Sequence, residues 1–239
     1  MSDDAKIVLL AGASGLTGAR ALDALLDAPD VARVVAVTRR PLGREHLRLA
    51  NRIVQFERLE QQLAGMRCDA ALCALGTTIR RAGSEVAFRA VDVEAVLVFA
   101  RAAQAAGARR FVVVSSVGAD PHSRNFYLRT KGDMEQALEG LGFESLDILQ
   151  PSVLLGWRRE MRPLELLAVL GLPVINPLLG GKYLQYRGIA ARTVGAALVG
   201  ATRSGRRGVQ RYTYGGIQAL ARLSAPRALP QPKAPVRAR

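Results

Sequence analysis

Two cysteines, two histidines and an aromatic content of 5% withhold several kinds of chemistry from this chain of 239 residues. Cys68 and Cys73 are too few for a disulfide framework, and with only His46 and His122 beside them they make no metal-ligand set. That economy of cysteine points to a reducing compartment. The polar start Met-Ser-Asp-Asp-Ala-Lys leads into a short apolar run that contains glycine, unlike a secretory signal, so the expected location is cytoplasmic. A membrane-spanning helix needs roughly 18 or more apolar residues in a row. The nearest approach, residues 163–181, is broken by Glu165, Pro173, Asn176 and Pro177.

Acid is also missing from one part of the chain. No acidic residue follows Glu165, whereas twelve basic ones do, and they supply most of the net charge of +14. Such a block suits an anionic cofactor or substrate, peripheral contact with an anionic membrane, or simply a solvated arginine-rich surface. No aromatic-interleaved basic ribbon and no nucleic-acid motif accompany it, so no specific nucleic-acid partner is expected. The sequence leaves the oligomeric state open.

What the chain does have is alternation. Apolar strand signals at Ile7–Ala11, Val31–Thr38, Ile53–Phe56, Ala70–Leu75, Phe111–Ser115 and Leu146–Gln150 are interleaved with helical periodicity. The helices are expected at Leu16–Asp27, at Ser84–Ala106 between a serine cap and Gly107, and at Phe126–Leu141. Near-continuous apolar strands between helices predict an α/β fold with a doubly wound parallel sheet of Rossmann type over residues 1–150. Residues 151–223, rich in Leu, Val, Ile and Pro, are expected to form a small C-terminal substrate lobe on the same domain. It would contain a helix over Ile189–Ala201, a short strand at Tyr212–Tyr214 and a last helix at Ile217–Leu223. Residues 224–239 carry Pro226, Pro230, Pro232 and Pro235 among Ala, Arg and Lys, and are expected to be a disordered basic tail.

Chemistry gathers where such a sheet places its ligand, at the carboxyl ends of the strands. The first strand runs into Gly12-Ala-Ser-Gly15-Leu-Thr-Gly18. There Gly12 permits a tight turn, Gly15 lets a pyrophosphate approach the backbone, and Gly18 lets the helix pack on the sheet. The second strand ends at Arg39-Arg40, where an acidic residue would suit the 2′-hydroxyl of NAD. Paired guanidinium groups suit a 2′-phosphate instead, so the expected cofactor is NADP(H). Leu75-Gly76-Thr77-Thr78 follows the fourth strand, and Gly76 allows a close backbone approach to the same cofactor. Ser115-Ser116 ends the fifth strand, and Tyr127-x-x-x-Lys131 lies on the next helix. An i, i+4 spacing puts phenol and ammonium on one helical face. A nearby cation favours the phenolate, so Tyr127 could exchange a proton with a substrate oxygen that Ser115 or Ser116 also holds.

In that order these motifs resemble the short-chain dehydrogenase/reductase superfamily, in an atypical branch close to Tat-interacting-protein-type oxidoreductases and NmrA-like NAD(P)-binding proteins. The resemblance implies that Ser14, Gly15, Leu16 and Thr17 contact cofactor phosphate, that Arg39 and Arg40 take the 2′-phosphate, and that Tyr127 and Lys131 are the catalytic pair. It also implies that Arg158 lies near the cofactor. Two positions depart from the family pattern. Asp92 stands where an asparagine is usual, and Gln150 where an arginine is common before the proline. The resemblance implies hydride transfer to or from a carbonyl compound, and the Leu-, Val-, Ile- and Pro-rich lobe from Pro151 suggests an apolar one. The alternative reading is a non-catalytic NADPH-binding redox sensor or assembly factor.

Overall fold

Val8, Leu9, Leu10, Val34, Val35, Ala36, Leu72, Val112 and Val113 are all fully or almost fully buried, and their consecutive burial decides the architecture. Strands apolar on both faces need a helical layer on each side. A computed structural model describes residues 5–155 and 181–224 and shows that arrangement. Its main sheet contains β1 (Lys6–Ala11), β2 (Val31–Thr38), β3 (Leu49–Ile53), β4 (Ala70–Cys73), β5 (Arg110–Val114), β6 (Ser145–Leu149) and β9 (Gly208–Tyr212). The order is β3-β2-β1-β4-β5-β6-β9, and every pairing is parallel. The strand order reverses between β1 and β4, and there the crevice of a doubly wound fold opens.

One face of the sheet is covered by α2 (Leu59–Gln62), the helix running from α4 (Glu85–Arg89) into α5 (Ala95–Ala105), and α6 (Phe126–Glu139). Leu59, Phe99, Phe111, Met134 and Leu138 fill that layer. The other face is covered by α1 (Leu16–Asp27), α7 (Ala191–Ala201) and α8 (Tyr214–Leu223), which pack through Leu22, Leu25, Val194, Leu198 and Ile217. Each such side chain contributes about 1.5–3 kcal/mol on burial. Two contacts bring backbones unusually close. A Cβ at Gly195 would sit 2.7 Å from Arg20 Cβ, and one at Gly200 would sit 1.8 Å from Leu220 O. Residues 189–224 are therefore built into the main layers: α7 lies on α1, and β9 extends the sheet.

Several boundaries differ from the periodicity. The third strand is Leu49–Ile53 rather than Ile53–Phe56. Asn51 sets it, donating from Nδ2 to Ala36 O at 3.2 Å and Thr38 Oγ1 at 2.7 Å while its Oδ1 accepts from Leu42 N at 2.9 Å. An edge strand pinned by a polar residue has no apolar run to announce it. The expected strand at Tyr212–Tyr214 ends at Tyr212, because Tyr214 already opens α8. A small two-stranded sheet, β7 (Leu154–Leu155) with β8 (Ile189–Ala190), takes the first residues assigned to the Ile189–Ala201 helix. Arg158 and the tail beyond Ser224 lie outside the described residues.

A buried polar cluster ties β6 to its neighbours. Asp147 accepts from Arg110 Nη1 at 2.6 Å, Tyr212 Oη at 2.9 Å and Ser145 Oγ at 3.1 Å. Burial first, and then the Asp147 charge, push the Tyr212 phenol up to about 12 from its ordinary 10. The folded state therefore holds that proton more tightly than the unfolded chain. Its contribution to stability is complete below pH 10 and is lost as pH rises to about 12. Tyr212→Phe is expected to flatten the fall in urea midpoint over that window, and an unchanged alkaline slope would contradict the assignment.

Candidate functional site

The crevice begins at the glycine turn. Gly12 holds φ +83°, and a Cβ there would meet Ala74 O at 2.4 Å. At Gly18 a Cβ would lie 2.0 Å from Gly12 O, so only glycine lets α1 start this close to β1. Gly15 donates to Gly12 O at 2.9 Å and caps α1 from an extended conformation, without a side-chain cap bond. Gly15 and Ser14 are exposed, Leu16 is half-buried and Thr17 is buried. With no acidic residue in the first turn of this twelve-residue helix, its opening N–H groups and positive dipole end suit an anion.

Next to it, β1 and β2 pair in register from Ile7↔Arg33 to Ala11↔Val37, which brings the end of β2 beside the turn. Thr38 is buried, whereas Arg39 and Arg40 are exposed. Neither side chain has an ion-pair or hydrogen-bond partner among the described residues. Nearby Arg44 is different, since Asp23 holds it at 2.5 Å.

On the other side of the crevice, Leu75-Gly76-Thr77-Thr78 leads from β4 into the short α3 (Ile79–Ala82). Thr78 caps that helix by accepting from Arg81 N at 3.2 Å. Thr77 N–H donates to Asp92 Oδ2 at 2.8 Å, and Asp92 Oδ1 pairs with Lys131 Nζ at 2.6 Å. Both partners are almost completely buried. Asp92 reaches this position from a π turn, Ala90–Glu94, between α4 and α5. A π turn widens a helix and re-aims its side chains, often at functional sites. Ser84 and Gly107 bound the long helix as expected: Ser84 accepts from Ala87 N at 3.1 Å, and Gly107 takes φ +92°.

The α6 helix carries the rest. Asn125 caps it, accepting from Leu128 N at 3.2 Å, and Gly132 lets the preceding loop approach, since a Cβ there would be 2.2 Å from Pro121 N. Tyr127 is half-buried with its ring 5.8 Å from that of Phe88, and its hydroxyl has no hydrogen-bond partner among the described residues. Ser115 is buried and donates its proton to Glu135 Oε1. Gln150 Nε2 donates to both Glu135 oxygens, at 2.9 and 3.1 Å, and Arg211 Nε to Oε2 at 3.0 Å. With the Ser115 proton committed, Ser116 is the hydroxyl left for other uses. It is half-buried and has only a 3.4 Å contact with Val117 O.

The two positions that depart from the family pattern are thus both engaged, Asp92 with Lys131 and Gln150 with Glu135. Glu135 and Arg211 were missed in the sequence. A signal for Glu135 existed, because Tyr127, Lys131 and Glu135 follow one another at intervals of four along α6. Arg211 had none. Burial pushes the Cys68 and Cys73 thiols up to about 12, so neither is a nucleophile at neutral pH. Among the described residues no cluster could hold a metal, and no helix is long and apolar enough to cross a membrane. A concavity lined by Arg206, Tyr212, Leu220 and Leu223 lies along α8 and shares no residue with the crevice.

Residues 12–156, which start at the first glycine of the turn and run past β7, match the protein family described as NAD(P)H-binding. The chain belongs to this family. Within it, the protein is 39% identical over 167 residues to Protein HTATIP2 of Rattus norvegicus, covering 68% of this chain and 69% of that one. It is 34% identical over 169 residues to "Protein FMP52, mitochondrial" of Coccidioides immitis, covering 65% and 69%. The fold recurs in MoeE5 in complex with UDP-glucuronic acid and NAD, with a TM-score of 0.66, 21% identity and coverage of 87% and 76%. It also recurs in the human epimerase family protein SDR39U1 with NADPH, with a TM-score of 0.59, 18% identity and coverage of 87% and 74%. This member of the NAD(P)H-binding family resembles HTATIP2 in sequence.

Proposed function

We propose that the protein is an NADP(H)-dependent oxidoreductase that moves hydride to or from an apolar carbonyl compound. The observation that carries this reading is the Tyr127 hydroxyl, which has no hydrogen-bond partner among the described residues and lies on the helix face that also presents Lys131, at the carboxyl edge of the sheet. The residues present fit a dinucleotide. The glycine turn and the opening N–H groups of α1 would hold its pyrophosphate, with Ser14, Gly15, Leu16 and Thr17 around it. Arg39 and Arg40 would hold a 2′-phosphate. When bound, the nicotinamide supplies or accepts the hydride. In reduction, Tyr127 gives its proton to the substrate oxygen as the carbonyl carbon gains hydride, and in oxidation it takes the proton back. Ser116 would hold that oxygen, and the buried ion pair with Asp92 would keep Lys131 in position. The residues of 189–224 are engaged in the main layers, so the support for an apolar substrate comes from the Leu-, Val-, Ile- and Pro-rich composition between Pro151 and Gly181.

Calorimetry with NADPH and NADH tests the cofactor half. Charged hydrogen bonds contribute about 1.5–3 kcal/mol each, so replacing both Arg39 and Arg40 by alanine is expected to weaken NADPH binding by at least about tenfold and leave NADH binding nearly unchanged. Equal losses for both nucleotides would refute the 2′-phosphate assignment. NADPH oxidation against a panel of aldehydes, ketones and quinones tests the chemistry. Two observations favour a second reading, a nucleotide-binding sensor without turnover: the Lys131 charge is balanced by Asp92, and the Ser115 proton is committed to Glu135. Tight NADPH binding with no turnover across the panel would select it.

A further inference from the structure

Exposed apolar side chains are not scattered evenly over this molecule. In a parallel sheet every segment that leaves a strand's carboxyl end emerges on the same edge. The stretch after β4 exposes Ile79 to 43% and Val86 to 80%, on α3 and at the start of α4. Arg80 and Arg81 lie between them, both exposed and both without an ion-pair partner among the described residues. Gly83, at φ +84°, turns the chain sharply between the two short helices. The stretch after β6 exposes Val153, and Ser152 Oγ fixes the adjoining turn by donating to Tyr186 O at 3.1 Å. That turn exposes Tyr183 and Tyr186 to about half. Exposed Arg124 lies in the segment after β5, between these two clusters in the order of the sheet. Among the described residues, the exposed acidic groups in the segments after β4 and β5 that build this rim are Glu85 and Asp120, and Asp120 Oδ1 accepts from His122 N at 2.8 Å.

We propose that this rim, centred on Ile79, Arg80, Arg81 and Val86, docks the protein on an anionic phospholipid surface with the crevice mouth facing the bilayer. Unpaired arginines beside exposed aliphatic groups, with tyrosines across the crevice, match a membrane interface in charge and polarity. An aqueous ligand would need neither Val86 nor Ile79 at the surface. If the reading of an apolar carbonyl substrate holds, docking would let that substrate pass from the bilayer to Tyr127 without crossing water. The docking itself does not depend on turnover.

Sedimentation of the full chain with phosphatidylcholine vesicles, with and without phosphatidylserine, tests the proposal. Binding is expected only with the anionic lipid and should weaken with salt. The double variant Arg80→Gln with Arg81→Gln is expected to bind about 25-fold more weakly, about fivefold for each arginine near the surface. Ile79→Ser with Val86→Ser should also weaken binding at constant charge. Arg207→Gln with Arg222→Gln removes the same charge at sites outside the rim and should bind as the unaltered protein does. NADPH affinity, measured on the same samples, should be unchanged in all three. That comparison separates this proposal from the nucleotide-binding reading and confirms that the variants are folded. Absence of lipid-dependent sedimentation, or equal losses from the rim and control pairs, would overturn the proposal.

Discussion

Asp92→Ala is expected to destabilise the protein by about 3–5 kcal/mol, because it removes one partner of a buried ion pair and leaves the other charge uncompensated. In the folded protein the Lys131 side chain is only 5% exposed, and Asp92 is its ion-pair partner at 2.6 Å. The same substitution strips the acceptor from Thr77 N–H, which anchors the segment between β4 and α3. Both effects fall on the crevice, so nucleotide affinity should drop with stability. For a chain of this size, a loss of that magnitude corresponds to a fall in Tm of roughly 6–20 °C. Asp92→Asn provides the contrast. Its amide oxygen can still accept from Thr77 or Lys131, so the cost should be smaller although the charge is gone. A urea midpoint unchanged in Asp92→Ala would mean that Lys131 is hydrated in solution and that the pair does not hold the site together.

Tyr127→Phe is expected to reduce turnover by about 10²–10⁴-fold, the usual contribution of a positioned general acid or base. The substitution removes one hydroxyl that has no hydrogen-bond partner among the described residues, and it keeps the ring whose centroid lies 5.8 Å from that of Phe88. Stability and NADPH affinity should therefore change little. The effect belongs in kcat, because the phenol acts on the reacting oxygen and not on the nucleotide. Any panel compound reduced by the unaltered protein provides the assay. Turnover that survives in Tyr127→Phe would transfer the proton step to another group. A parallel loss of NADPH affinity would show that the ring, and not the proton, is what matters.

Strands β1, β2, β4, β5 and β6, the long helices between them and the two ends of the crevice were legible before any packing was known. Each of these signals is local. Apolar runs such as Val8–Ala11 and Val34–Val37 can be satisfied only between two layers. Gly12 and Gly18 are read from a spacing of a few residues, and Tyr127 and Lys131 share a face because a helix repeats every 3.6 residues. The edge strand β3 was less legible, because Asn51 fixes it through hydrogen bonds to a neighbouring strand and not through an apolar pattern. The pairing of the buried charges, by contrast, emerged from packing. Asp92 reaches Lys131 because a π turn rotates it toward α6, and Arg211 reaches Glu135 across 76 residues of chain because β9 docks beside β6. Those partnerships also decided which serine keeps a free proton. No local pattern encodes them, because an ion pair between distant segments depends on where the packed layers place them. A charge becomes costly to leave unpaired only after those layers exclude water.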